Sequence, residues 1–300
     1  MDIERQRVQD DLRGIVGGDV LCDPITVQLY ASDASIYQLT PLAVIRPRTV
    51  GDVVASMQYA ADHERSVHPR GTGSGVAGES LGRGLVIDFS RYMRRVVAEP
   101  DAAKVTIQSG VILAQLNRSI RSQGRWFGPD PVTRSITTMG SVLATNASGS
   151  HYLRSGAARD TIESMRVVTV DGELVELGVH HKDDDGTAGR LARGVAEIRS
   201  RFDSLIRARH DAPQSRGGYR LDDVVDDSGN VNLAKFMVGT QGTLGVLVDA
   251  TVRTESIPAH RGVILLFFHR LDSAARSAVV ARKHGLVACD LMDRRLLQIA

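Results

Sequence analysis

Cysteine is scarce in this sequence, and long hydrophobic runs are absent. Cys22 and Cys289 are far apart in the chain and belong to no Cys-x-x-Cys pair, so the sequence encodes neither a disulfide framework nor a zinc or iron–sulfur site. No apolar run reaches membrane-spanning length, and the chain begins with polar and acidic residues rather than an apolar signal core. We therefore expect a cytoplasmic protein without a membrane span, at most peripherally attached to the inner membrane.

An excess of charge of one sign is also lacking. The chain has 37 Lys and Arg residues against 35 Asp and Glu residues, and a net charge of +2 offers no overall field that would attract nucleic acid or a membrane surface. Arginine supplies most of the cations, because lysine is confined to Lys104, Lys182, Lys235 and Lys283. Arginine is therefore left to bind any phosphate or carboxylate group.

Glycine, in contrast, is abundant, and its densest stretch is HPRGTGSGVAG at residues 68–78. Gly73, Gly75 and Gly78 match the G-x-G-x-x-G pattern of dinucleotide folds, in which such a loop opens a helix. Only residues 79–84 separate this loop from the next predicted strand at 85–89, whereas a parallel crossover needs about a dozen residues. The spacing argues against that fold and favours a phosphate cradle in another one. The alternative is a glycine-rich hairpin without a ligand.

A strand, a helix and a second strand precede this glycine loop. Residues 43–45 are an apolar run stopped by Pro47, residues 50–63 carry apolar side chains at helical spacing, and residues 66–68 lead into the glycines. This order places the loop at the carboxyl end of a strand, where ligands bind in α/β folds. The other predicted strands are 94–99, 104–108, 160–170, 173–177 and 246–254, and the other predicted helices are 4–15, 112–123, 187–208 and 232–237.

Three more glycine-rich loops are joined to strands further along the chain. One contains Gly128-Pro129-Asp130-Pro131 and residues 137–150, whose apolar centre and hydroxyl-rich ends suit a short helix that meets a phosphate and packs under an aromatic ring. The other two cover residues 154–160 and 239–245. Each loop by itself would be interpreted as a turn, but four such loops indicate one extended ligand bound along its length.

Taken in order, these motifs resemble the FAD-binding domain of the vanillyl-alcohol oxidase/p-cresol methylhydroxylase superfamily. The resemblance rests on Pro-Arg-Gly-x-Gly, Pro-Asp-Pro, Thr-x-Gly-x-x-x-Ala-Thr-Asn-Ala-x-Gly, Gly-x-x-Arg-Asp and Gly-x-x-Gly-Thr-Leu-Gly, and it runs from about residue 30 to residue 300. Residues 218–224 and 288–295 resemble the branch of D-lactate and related D-2-hydroxyacid dehydrogenases, which is often fused to an iron–sulfur domain. In the last loop, Gln241 stands where that family usually has glutamate.

The resemblance implies an α+β fold, with a two-subdomain FAD-binding domain of p-cresol methylhydroxylase type followed by an incomplete ferredoxin-like cap. Beyond Pro258 we predict a strand at 263–268, a helix at 273–284, a strand at 287–291 and a helix from Arg294. About forty such residues cannot bury a core of their own. The predicted segments are an N-terminal helical extension over 1–35, the FAD-binding domain over 36–258 and the start of the cap over 259–300.

The resemblance also implies which residues bind the FAD, which this branch holds non-covalently. The first loop would wrap the pyrophosphate, the second would hold the ribityl and pyrophosphate region and approach the isoalloxazine, and the last two would complete the adenine and flavin contacts. His68 and His151, the histidines nearest these loops, are not expected to be linked to the flavin. The implied cofactor-binding residues are Arg70, Gly71, Thr72, Gly73, Ser74, Gly75, Val76, Pro129, Asp130, Thr138, Gly140, Ser141, Asn146, Ala147, Gly149, Ser150, Gly156, Asp160, Gly245 and Val246.

The implied activity is the oxidation of a D-2-hydroxy acid such as D-lactate to the 2-oxo acid. A base takes the hydroxyl proton, a hydride passes from the α-carbon to flavin N5, and the electrons leave to an iron–sulfur, quinone or cytochrome acceptor. The family carries its catalytic residues in the cap, so none is assigned in this chain. The alternative is a catalytically incomplete FAD-binding module that needs a partner chain.

Two other clusters of polar residues are interpreted as solvated loops. His180 and His181 with residues 183–185 lack the ligand spacing of a metal site on a fixed scaffold, so no metal is predicted. Residues 226–230 resemble a calcium loop only in composition, because the glycine offset is wrong and no glutamate closes the loop.

Overall fold

The structure is a computed structural model that describes residues 2–210 and 218–299. Its strands are β1 (Asp19–Leu21), β2 (Ala43–Arg46), β3 (Val67–Arg70), β4 (Leu85–Asp88), β5 (Val96–Ala98), β6 (Lys104–Gln108), β7 (Arg125–Trp126), β8 (Ile162–Val168), β9 (Leu174–Leu177), β10 (Val179–His181), β11 (Asn230–Asn232), β12 (Val246–Arg253) and β13 (Glu255–Ser256). Its α-helices are α1 (Ile3–Arg13), α2 (Pro24–Leu29), α3 (Val50–Asp62), α4 (Leu113–Ile120), α5 (Met139–Ala144), α6 (Tyr152–Ser155), α7 (Gly186–Arg201), α8 (Asp203–His210), α9 (Leu233–Met237), α10 (Leu271–Arg282) and α11 (Arg294–Ile299).

A first lobe is built on a four-stranded sheet in the order β1-β2-β4-β3. Strands β2, β4 and β3 are parallel, and β1 is antiparallel to β2. Helix α3, which connects β2 to β3, begins with a capping box in which Thr49 and Asp52 satisfy each other's backbone amides. Residues 1–35, predicted as an extension, supply α1 and β1, and Leu12 and Cys22 are buried with Ile45 in the core of this lobe.

A second lobe is built on an antiparallel five-stranded sheet in the order β5-β6-β12-β8-β9. The predicted hairpin of β8 and β9 turns at Asp171-Gly172, as the Asp-Gly pair indicates. Helices α5, α7 and α9 contact the strands of this sheet, and fully buried Phe127 and Leu116 lie in its core. Each lobe combines one sheet with its own helices, and this mixed helix-and-sheet fold confirms the α+β prediction.

The two lobes are joined by a shared apolar cluster. Val53 and Met57 of α3, with Ile87 of β4, pack against Val168 of β8 and Val248 of β12. Burial of such side chains stabilises an interface by about 25 cal/mol per Å² of apolar surface removed from water. This cluster fixes the carboxyl ends of β3 and β4 beside the antiparallel sheet.

Two predictions about the later part of the chain are wrong. The single helix predicted over 187–208 is divided at Phe202, because the Asp203 carboxylate binds both Arg199 in α7 and Arg207 in α8 and begins a new helix. The strands predicted at 263–268 and 287–291 are not formed, since neither segment pairs with another strand among the described residues. Helices α10 and α11 form close to their predicted positions but contain no buried residue. The division of the chain into domains, including a cap over 259–300, stays a prediction.

No helix in the described ranges is long and apolar enough to cross a membrane.

Candidate functional site

An open cleft separates the two lobes where β3 and β4 end. It contains about 1190 Å³ of empty space, part of which is open to solvent. Eight of residues 69–80, together with Phe89, border it from the first lobe. The second lobe contributes Met165 and some of the residues between 109 and 147 and between 237 and 247. The predicted position of the glycine loop at the carboxyl end of a strand is therefore confirmed, because Gly71 directly follows β3.

The glycine loop and the start of α5 meet in this cleft. A Cβ atom at Gly71 would lie 2.5 Å from Thr138 Oγ1 and similarly close to the Ser141 hydroxyl, so only glycine allows this approach. Thr138 is the N-cap of α5, and its Oγ1 accepts a hydrogen bond from the Ser141 amide. A Cβ at Gly140 would crowd Ser109, which borders the same cleft. Two glycine-rich segments from different lobes thus line one cavity with backbone and hydroxyl groups.

The fourth loop, residues 239–245, closes the other side of α5. The amides of Gly239 and Gln241 donate to the carbonyls of Leu143 and Ala144 at the end of this helix. Gln241 has a φ of +56°, a left-handed conformation that is uncommon for a residue with a side chain. Three of the four predicted glycine loops therefore meet at the cleft.

Arg70 carries the one positive charge among the cleft-lining side chains of the described residues. Its guanidinium donates to the carbonyl oxygens of Ser32 at 2.8 Å and Tyr30 at 3.3 Å, and it lies 5.1 Å from the centre of the Tyr30 ring. Burial lowers the pKa of Arg70, partly offset by Tyr30 and by two nearby carboxylates. The guanidinium also lies directly behind Gly73, where a Cβ atom would approach within 2.5 Å.

Ten of the twenty predicted cofactor-binding residues border the cleft. The members of this group come from the glycine loop, the start of α5, the segment that follows α5 and the start of β12: Arg70, Gly71, Gly73, Ser74, Gly75, Thr138, Gly140, Ser141, Ala147 and Gly245. The other ten do not border it: Thr72, Val76, Pro129, Asp130, Asn146, Gly149, Ser150, Gly156, Asp160 and Val246. Contact of any of the twenty with a cofactor stays a prediction.

Several of the residues outside the cleft have structural partners. The Asn146 carboxamide accepts from the Arg159 amide, and the Asp160 carboxylate accepts from the Ala157 amide. Asp130 accepts from the His151 amide, and His151 Nδ1 lies 3.0 Å from its other carboxylate oxygen without the alignment of a hydrogen bond. These side chains hold the segments that surround the cleft.

The apolar wall of the cleft was missed by sequence reasoning. Phe89 follows β4, Met165 lies in β8 and Leu247 in β12, and Met237 ends α9. Each fits the alternation or spacing of an ordinary core residue, so no local signal distinguishes it. Glu79 and Ser80, next to the glycine loop, also line the cleft and were missed. Such a wall next to polar loops suits a ligand with a flat apolar ring at one end and phosphates at the other.

Comparison with known proteins identifies the ligand class. Residues 41–178 match the family described as FAD binding domain. This match indicates an FAD-binding domain in this part of the chain, with FAD as the cofactor. The contacts of Gly71 and Gly140 fit this group, because they bring two glycine-rich segments to one cleft that Arg70 also lines, and backbone amides with a positive charge can bind a diphosphate.

Relatives that match about nine tenths of this chain are hydroxy-acid dehydrogenases or an oxidase subunit by name. The chain is 29% identical over 283 residues to the D-2-hydroxyglutarate dehydrogenase of Escherichia coli, covering 90% of this chain and 28% of that protein. It is 26% identical to the glycolate oxidase subunit GlcD of Bacillus subtilis, with 90% and 50% covered, and 25% identical to the probable mitochondrial D-lactate dehydrogenase of Danio rerio, with 94% and 49% covered. The chain thus spans between about a quarter and a half of the length of these relatives.

A solved structure supports the fold of the FAD-binding domain. An alkyldihydroxyacetonephosphate synthase aligns with a TM-score of 0.61 over 87% of this chain and 41% of that chain, at 20% sequence identity. At this identity the likeness bears on the fold alone. It supports the mixed helix-and-sheet architecture described above.

The polar cluster at residues 180–185 is the segment for which the sequence predicts a solvated loop and no metal. Among the residues that the structure describes, no group of three His, Cys, Asp or Glu side chains could hold a metal ion. His181 Nδ1 accepts from the Asp183 amide, and its Nε2 lies 3.2 Å from the Ser228 carbonyl oxygen. These contacts tie β10 to the turn at residues 226–229.

Proposed function

We propose that this chain is the FAD-binding part of a dehydrogenase that oxidises a D-2-hydroxy acid, such as D-lactate or D-2-hydroxyglutarate, to the 2-oxo acid. The observation that carries the proposal is the single cleft in which the glycine loop, the N-terminus of α5 and an apolar wall meet. The names of the relatives, D-2-hydroxyglutarate dehydrogenase and D-lactate dehydrogenase, support the substrate class. The electrons would pass to an iron–sulfur, quinone or cytochrome acceptor.

Each wall of the cleft has a separate task in this proposal. The amides of the glycine loop and the hydroxyls of Thr138 and Ser141 bind the diphosphate, with Arg70 as the fixed positive charge. Phe89, Met165 and Leu247 pack against a ring and exclude water from it. When bound, FAD supplies a two-electron acceptor for the hydride that leaves the α-carbon of the substrate.

Retention of the cofactor is proposed to be non-covalent. The cleft lining contains no histidine, cysteine or tyrosine among the described residues, and these are side chains to which a flavin could be bonded. His68, the histidine nearest the glycine loop in sequence, packs its ring against Gly82, and burial lowers its pKa.

The cleft also lacks an evident base for the substrate hydroxyl. Its titratable lining residues, in the part of the chain described, are Arg70 and Glu79. Arg70 is held by two carbonyl groups, and the Glu79 carboxylate accepts from the Ala77 amide in its own loop. This observation favours the second candidate, an FAD-binding module whose substrate residues lie on another polypeptide segment or a partner chain.

Anaerobic reduction of the bound flavin separates the two candidates. The chain is loaded with FAD, freed of excess cofactor and mixed with D-lactate, D-2-hydroxyglutarate or the L-enantiomers, and flavin absorbance is followed. Bleaching by a D-acid and not by its L-enantiomer is expected if the chain is a competent dehydrogenase. Retention of the yellow colour with every acid would support the module. Bleaching by both enantiomers alike would contradict the proposed substrate class.

A further inference from the structure

Residues 30–37 form a compact loop that lies outside the residues matched to the FAD-binding family. This segment, called the strap below, follows α2 and returns through a bridge between Ser32 and Gln38 and a hydrogen bond from the Leu39 amide to the Ala31 carbonyl at 2.8 Å. The family match begins only at residue 41. The contacts of the strap nevertheless run along the whole glycine loop.

The strap first holds Arg70, at the beginning of the glycine loop. The Ser32 and Tyr30 carbonyl oxygens accept from the Arg70 guanidinium, and the Tyr30 ring lies beneath it. The Tyr30 hydroxyl in turn donates to Asp88 at the end of β4 and accepts from Arg46 in β2. Burial raises the pKa of Tyr30 to about 12, so this hydroxyl stays a donor at neutral pH. The charge of Arg70 is therefore fixed to the parallel sheet through the strap.

Two hydrogen bonds then join the strap to the middle and end of the loop. The Ala34 amide donates to the Gly73 carbonyl at 3.0 Å. The Ser80 hydroxyl donates to Asp33 Oδ2 at 2.9 Å, while Asp33 Oδ1 accepts from the Ser35 amide at 2.8 Å. Ser80 is buried, at 8% exposure, and borders the cleft, whereas Asp33 does not border it. Asp33 is therefore not a direct contact for a ligand in the cleft.

The strap ends against the turn of the glycine loop. A Cβ atom at Gly78 would lie 2.8 Å from Cδ2 of Tyr37, so the Tyr37 ring covers this glycine. Within residues 71–84, all of them described, the loop's backbone hydrogen bonds to itself consist of the one from Leu81 to Gly78. A loop that binds itself so little depends on outside partners for a defined conformation.

We infer that the strap positions the glycine loop for FAD, and that the Asp33–Ser80 hydrogen bond is a principal contact through which it acts. The inference rests on the proposed function in that the ligand of the loop is FAD. Asp33 is a positioning residue, since its carboxylate holds Ser80 and the Ser35 amide at once. Pre-forming a binding loop raises affinity because less ordering remains to be done when the ligand binds.

The test compares Asp33→Ala with Asp23→Ala in the full chain. Asp23 is the N-cap of α2, and its side chain accepts from the Thr26 amide at 2.9 Å without touching the glycine loop. Each substitution removes a carboxylate that caps a backbone amide, so both should lower the unfolding midpoint of the FAD-free chain to a similar degree. Only Asp33→Ala is expected to weaken FAD binding, by roughly tenfold, as for the loss of one hydrogen bond to a charged group.

A double-mutant cycle with Ser80→Ala identifies the path of the effect. If Asp33 acts through Ser80, the double variant should bind FAD no more weakly than the weaker of the two single variants. FAD affinity is measured by titration of the flavin-free chain, and stability by thermal unfolding without FAD. If Asp33→Ala does not fold, Tyr37→Ala is used instead. The Tyr37 side chain is half-exposed, and its removal deletes the contact with Gly78. We expect a severalfold loss of FAD affinity, because the strap then holds the glycine loop less firmly.

Equal FAD affinity in Asp33→Ala and the unaltered chain would overturn the inference. An equal loss of FAD affinity in Asp23→Ala would overturn it as well, and so would additive effects of Asp33→Ala and Ser80→Ala. If Tyr37→Ala has to be used instead, unchanged FAD affinity in that variant would overturn the inference. Failure of the unaltered chain to bind FAD would instead overturn the proposed function itself, so the two failures are distinguishable.

Discussion

Gly73→Val is expected to abolish FAD retention and to leave the chain folded. Gly73 has a φ of +69°, which a β-branched residue adopts only with strain, and its Cβ would lie 2.5 Å from the Arg70 guanidinium. Relief of this clash must move either the loop backbone or the charge that faces the cleft. We expect FAD affinity to fall by about a hundredfold or more, which corresponds to ~2.7 kcal/mol of binding free energy.

Gly124→Val is the matched control for this prediction. Gly124 has nearly the same φ, +70°, but a Cβ atom added there would meet no heavy atom within 4 Å, and the residue has no place in the cleft. It reports the cost of left-handed strain without the clash. FAD affinity should be unchanged in Gly124→Val, and full FAD occupancy of Gly73→Val would count against a role of this loop in binding the cofactor.

Arg159→Ala is expected to cause the largest loss of stability among single substitutions near the site. The Arg159 side chain is only 2% exposed, forms an ion pair with Asp223 and donates to the Lys235 carbonyl at 3.0 Å. Removal leaves the Asp223 carboxylate, which is 41% exposed, and the partly buried Lys235 carbonyl without this donor. We expect a loss of about 2 kcal/mol of unfolding free energy, less than for a fully buried pair, because Asp223 is partly exposed and Lys235 still binds it.

Urea unfolding of FAD-free protein measures this loss, with Arg270→Ala as the control. Arg270 is 75% exposed and pairs with Asp272 at 3.1 Å in α10, so its removal should cost less than about 1 kcal/mol. Equal stability losses in the two variants would contradict the stabilising role of Arg159. Residues 156–160 do not border the cleft, although the glycine and arginine content of this loop had suggested that they would.

The elements that could be predicted from sequence are those with strong local signals. Thr49 and Asp52 begin a helix by a capping box, Asp171-Gly172 turns a hairpin, and the short spacing after Gly78 excludes a crossover helix. The glycine loop and α5 also have a strong local signal, because their many small residues allow the backbone to approach a ligand closely. The structure brings both to one cleft.

What the sequence did not reveal depends on tertiary contacts. Phe89, Met165 and Leu247 have the pattern of core residues, and only the packing of two sheets turns them toward a cleft. The strap is irregular in sequence, and its role becomes visible only where Asp33 meets Ser80, 47 residues later. Residues 263–268 have strand composition, but a strand also needs a partner, and none lies beside them within the described chain.

The measurement that tests the account most directly is an FAD titration of the unaltered chain after removal of any bound flavin. The cleft geometry predicts saturable uptake of one FAD per chain, a yellow protein that keeps its flavin through gel filtration, and a rise of the unfolding midpoint with FAD concentration. Denaturation should release the flavin, since we propose that it is held without a covalent bond. A colourless chain whose unfolding midpoint does not change with added FAD would contradict the account.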